Sequence, residues 1–132
     1  MAQPIELILV RHLASGLALP TFLIDAEGTL VFYNEAAEPL LGHRFDEEGA
    51  MAFDAWTAAY AVRDDSGRPV GVDEIPLVRA LRGGRPVHAR VAIIGRDGAA
   101  RTLEVSAFPL VGLGKEVLGA AALFWESAAE DK

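Results

Sequence analysis

The chain has 132 residues, 52% of them hydrophobic and 23% charged. That is the composition of one folded domain with a core, and it excludes a disordered chain. A net charge of −7 without any block of lysine or arginine argues against nucleic acid as a partner, and the lack of cysteine excludes disulfides, thiolate metal sites, cysteine nucleophiles and cysteinyl photoadducts.

The first segment, MAQPIELILVRHLASG, has no basic leader and is interrupted by Glu6, so it reads as a poor secretory signal. Ile5, Leu7, Ile8, Leu9, Val10 and Leu13 crowd it, with Glu6, Arg11 and His12 as polar relief. As a helix it is apolar over most of its circumference, whereas a surface helix needs one apolar stripe. It is therefore wedged within its own domain or shared with a second copy. We read residues 1–16 as a dimer element, with Ile5, Ile8, Leu9 and His12 as interface candidates. Gly16 and Pro20 end it.

Thr21–Asp25 and Thr29–Tyr33 read as β-strands joined by the turn residues Asp25-Ala26-Glu27-Gly28. Asn34 is a good N-cap for Glu35–Leu41. Pro39 lies too deep in that segment for a regular helix, so one or two distorted turns closed by Gly42 are expected. In the alanine-rich middle, Met51, Ala55, Trp56, Ala59 and Tyr60 recur at helical spacing, although Trp56–Val62 also suits an extended run. Residues 63–69 form a turn or loop. DEIPLVRALRGG then reads as a helix opened by Asp73 or Glu74, with Pro76 in its first turn and Gly83-Gly84 as its stop.

The last third reads as β-structure. Val87–Gly95 and Arg101–Phe108 flank the hairpin signal Arg96-Asp97-Gly98. Val87, Ala89, Val91 and Ile93 share one face, opposite His88 and Arg90. Leu103, Val105 and Ala107 likewise oppose Thr102, Glu104 and Ser106. Val117–Trp125 is apolar on both faces, as a central strand would be. Its run VLGAAALFW is about half of the roughly 20 residues a membrane span needs. The expectation is an α+β domain, a five-stranded antiparallel sheet with short helices on one face and an N-terminal helix, soluble and cytoplasmic.

This order resembles a PAS domain, the small sensor module of bacterial signalling proteins. The resemblance runs from about Leu17 to Glu126. It rests on FLIDAEGTLVFYNEAA (residues 22–37), Gly42, DSGRP (65–69) before IPLVRAL (75–81), RDG (96–98) before VSAFPL (105–110), and LGAA (118–121). In place of the Asp-Ile-Thr-like motif that couples members to an output domain stands Phe124-Trp125-Glu126-Ser127. Residues 17–127 would be the sensor domain and 128–132 a C-terminal tail, compatible with the start of a linker helix. The resemblance implies a non-enzymatic sensor or interaction module, a small-ligand pocket between sheet and helices, and a homodimer or a signalling protein as partner. A ligand-free dimerisation scaffold, or the input domain of a longer protein such as a histidine kinase, stays open beside it.

A pocket of that kind would be lined by Phe53, Trp56, Tyr60, Leu77, Leu81, Val91, Leu103 and Ala121. Ordinary core packing is the alternative for each, since aromatic and aliphatic stripes usually fill a core. Ala120–Ala122 leave room for a ligand or for closely packed helices. The ligand is unknown. A non-covalent small molecule is one expectation, with haem or flavin open but unsupported. Haem needs a histidine pointing into the pocket, and His12, His43 and His88 all sit in unsuitable contexts. No histidine spacing suggests zinc. For a small organic acid or amino acid, Arg79 or Arg90 would supply the carboxylate fork. Asp46-Glu47-Glu48 and Asp64-Asp65 read as solvated turns or helix starts, and Ser15 and Ser106 have no nucleophile-elbow context. A small pocket enzyme would need Tyr60 with Asp64 or Asp65 at raised pKa in the cavity.

Overall fold

In the computed structural model, which describes residues 4–41, 49–59, 61–64, 66–94 and 100–126, helix α1 (Ile5–Ala14) comes first. Strands β1 (Thr21–Asp25) and β2 (Leu30–Tyr33) follow, then a 3₁₀ turn (Glu35–Ala37) and the short helix α2 (Glu38–Leu41). Helix α3 (Phe53–Ala59) leads into β3 (Ala61–Arg63). After a second 3₁₀ turn (Val72–Glu74) come α4 (Pro76–Gly83), β4 (Val87–Ile94), β5 (Ala100–Val111) and β6 (Val117–Glu126). Among the described residues no helix is long and apolar enough to cross a membrane.

The sheet has six strands in the order β2-β1-β6-β5-β4-β3, every neighbouring pair antiparallel. The count expected from sequence is five. The sixth, β3, is three residues long and comes from the run left open between helix and strand: Trp56 closes into α3, and Val62 pairs with Ile93. β6 lies between β1 and β5, as its two apolar faces predict. Both outer strands take a further bond. Leu30 of β2 and Met51 exchange N–H and C=O at 2.8 and 3.0 Å, and the Val70 N–H donates to the Val62 carbonyl of β3 at 3.1 Å.

Local chemistry sets the turns. The Asp25 carboxylate accepts from the backbone N–H groups of Glu27 and Thr29, both at 3.0 Å. Asp64 repeats this with Ser66 and Arg68, also at 3.0 Å. Pro39 falls within α2, and the segment is split into a 3₁₀ and an α turn, as a ring-blocked donor requires. Pro76 opens α4 at a position whose N–H has no helical partner. Gly42, the Arg96-Asp97-Gly98 hairpin and the C-terminal tail lie outside the described residues.

Strand alternation gives the sheet two apolar faces. Phe22, Ile24, Leu103, Val105, Ala122 and Phe124 turn inward with Val91 and Ile93. Trp56 of α3 and Leu77, Val78 and Ala80 of α4 cover them. Burying each large member contributes roughly 1.5–3 kcal/mol. On the opposite face Leu23, Val31 and Ala121 bury the Leu7 side chain of α1. The helices are thus divided between the faces.

Candidate ligand cavity

An apolar cavity of about 70 Å³ lies between the inner sheet face and the start of α4. Val62, Val91, Ile93, Leu103 and Val105 form its floor. Ile75, Pro76 and Leu77 form one wall, and Phe22, Trp56, Ala122 and Phe124 close the end. Those aromatic rings hold each other in place: Phe22 packs edge-on to Trp56 and Phe124, at centroid distances of 6.0 and 5.7 Å, and stacks on Tyr33 at 5.6 Å. The Trp56 indole N–H turns away from the cavity and donates to the Gly28 carbonyl at 2.8 Å. Among the described residues no nitrogen or oxygen faces the space.

Trp56, Leu77, Val91 and Leu103 of the expected lining meet at this cavity. Phe53 and Leu81 do not; with Gly28 and Arg82 they border a separate surface cleft of about 270 Å³. Ala121 is a correction. Its neighbours Ala120 and Ala122 take the inward positions of β6, so Ala121 faces Leu7 across the sheet. Tyr60 lies outside the described residues. Sequence reasoning missed Phe22, Ile75 and Phe124, which reach the cavity through tertiary packing that no local pattern encodes. Ile93 and Val105 were readable, since they share a face with Val91 and Leu103.

The charged candidates lie elsewhere. Arg79 is exposed on α4. Arg90 and His88 are on the outer face, where both hold Glu104: Arg90 Nε lies 2.9 Å from one carboxylate oxygen and His88 Nε2 2.9 Å from the other. Hydrogen bonding from Arg90, aided by His88, holds the Glu104 carboxyl below its ordinary value against a smaller opposing effect of burial. Asp64 is also held low, chiefly by the Ser66 hydroxyl at 2.7 Å. That is the opposite of the raised carboxyl a pocket acid would need. His12 is exposed on α1, and His43, Asp65 and Asp46-Glu47-Glu48 lie outside the described residues.

Asn34 connects the cavity's surroundings to α1. It is buried, and its Oδ1 accepts from the N–H groups of Ala37 at 3.2 Å and Thr21 at 3.0 Å. Its Nδ2 donates to the carbonyls of Ala14 and Leu19, each at 2.9 Å. One amide thus caps the 3₁₀ turn, holds the start of β1 and fixes the end of α1.

No protein-family profile matches the sequence, and no curated protein is similar to it in sequence. Solved structures are similar in three dimensions. The PAS domain of a protein from Colwellia psychrerythraea aligns over 91% of this chain and 97% of its own, with a TM-score of 0.63 and 16% identity. The PAS domain of Bordetella pertussis BvgS aligns over 95% and 88%, with a TM-score of 0.59 and 16% identity. This chain has the PAS fold. A LOV protein of Rhodobacter sphaeroides shares the same PAS architecture, at a TM-score of 0.73 and 13% identity, over 98% of this chain and 71% of that one.

The described lining of the cavity does not fit the cofactors the resemblance raised. A flavin ring system carries polar edges that need hydrogen-bond partners, and the described wall offers none. A haem needs an axial ligand; among the described residues neither His12 nor His88 faces the space, and His43 lies outside them. Both groups also exceed a cavity of about 70 Å³.

Proposed function

We propose that this chain is a non-enzymatic PAS-type sensor and interaction module in signal transduction. It binds a small ligand between sheet and helices and signals through dimer or partner contacts. The observation that carries this reading is the cavity beneath α4, set inside a fold shared with PAS and LOV structures. Residues 17–127 act as the sensor and residues 1–16 as the dimer element. Ile5, Ile8 and Leu9 leave half or more of their surfaces in solvent, and His12 is exposed beside them. A helix with such a face is stabilised by a second copy laid against it.

Cavity and helix are joined through few links. Phe22 borders the cavity one residue from Thr21, whose N–H is held by Asn34, and Asn34 also holds the end of α1. An occupant that favours one placement of Phe22 therefore biases the placement of α1.

Native mass spectrometry on freshly purified protein, followed by the same sample denatured, tests the reading. A dimer carrying an extra non-covalent mass is the expected result. A dimer without it favours a ligand-free scaffold, and a monomer removes the role given to α1.

A further inference from the structure

We propose that the occupant of the core cavity is a small apolar molecule, hydrocarbon-like and without any group that needs a hydrogen bond. This rests on the ligand-sensing reading above and names its ligand class.

The chemistry of the wall sets the class. It is built from aliphatic and aromatic side chains, and the indole N–H of its lining Trp56 is already bonded to Gly28. Every buried side-chain nitrogen and oxygen among the described residues has a partner. A carboxylate, an amide or a polar ring entering here would lose its hydration and gain nothing in return. Water is disfavoured for the same reason, because a buried water needs about two to four polar partners. The described wall offers no group to hold a water in place, so an apolar occupant displaces no hydrogen-bonded solvent.

Size narrows the class. The cavity, about 70 Å³, is about half of the roughly 150 Å³ at which a dry engineered cavity accepts benzene or xenon. Its natural fit is a compact molecule of a few non-hydrogen atoms. Such a molecule would touch Leu77 at the start of α4 and Phe22 on β1 at once, linking helix and sheet across the gap.

Xenon is the first probe, read by methyl carbon–proton correlation spectra. Saturable shifts are expected at Leu77, Val91 and Leu103, with Leu7 and Leu23 across the sheet unmoved. Val62→Phe, which fills the floor from the edge strand, should abolish those shifts; Ala122→Val serves if the first variant does not fold. Leu77→Ala should enlarge the space enough to admit benzene, at a dissociation constant on the order of millimolar. Val105→Ala replaces it if folding is lost. Benzoate and flavin mononucleotide are the polar probes. Shifts of the cavity methyls with these and none with xenon would overturn the apolar class and leave ligand sensing standing. Shifts with no probe would overturn both. Xenon shifts of equal size at Leu7 and Leu23 would overturn the assignment to this cavity.

Discussion

Asn34 makes four close bonds through one side-chain amide, two as acceptor and two as donor. Asn34→Ala would lose the cap and strand the buried Ala14 carbonyl and the partly buried Leu19 carbonyl, so it should cost about 2–4 kcal/mol, measured by urea unfolding. Asn34→Asp keeps both acceptor contacts but turns a carboxylate oxygen toward the carbonyls of Ala14 and Leu19. A proton on that oxygen restores the lost donor, so that variant should regain stability as pH falls. Glu104 behaves in the opposite sense. Its carboxyl is held low, so its contribution is complete above the ordinary glutamate value and is lost as pH falls through the lower folded one. Urea midpoints compared at neutral pH and below about pH 4 should fall less steeply for Glu104→Gln than for the wild type. An unchanged slope would mean that Arg90 and His88 do not hold Glu104 in solution.

At the scale of elements, β6 is the strand on which the two faces meet. A Cβ built on Gly119 would clash with the Ile24 carbonyl oxygen of β1 and lie 3.0 Å from a Leu7 methyl of α1. Gly119→Ala should therefore cost about 1–3 kcal/mol by overpacking, read as a lower thermal midpoint. The same strand marks the limit of what the sequence discloses. Alternation was legible on β4 and β5, where His88 and Arg90 oppose Val91 and Ile93, so the faces could be assigned residue by residue. On β6 residues of both parities are apolar, and nothing local says whether Ala121 or Ala122 points inward. α3 and β3 posed a different problem. Three strand residues are too few to show a period, and only pairing with β4 reveals them. The cavity was half legible: its strand floor follows from alternation, while Phe22 and Phe124 arrive from neighbouring strands that no sequence window joins.

For the whole molecule, the helix α1 divides its surface unequally. Leu7 and Ala14 are buried against the domain, while Ile5, Leu9 and Leu13 are each exposed to 60% or more. Ile8→Asp or Leu9→Asp should yield monomers by analytical ultracentrifugation with the circular dichroism unchanged, because neither side chain supports the fold. A persistent dimer would move the interface elsewhere. The bonds that Leu30 makes with Met51, and Val62 with Val70, have a consequence for how such a molecule can assemble. Outer strands normally offer bare backbone groups on which a foreign strand can grow, and here returning chain occupies part of that backbone on both sides. The sheet is consequently a poor template for β-augmentation or fibril growth. Strand addition at those positions would first have to displace the chain's own returning segments.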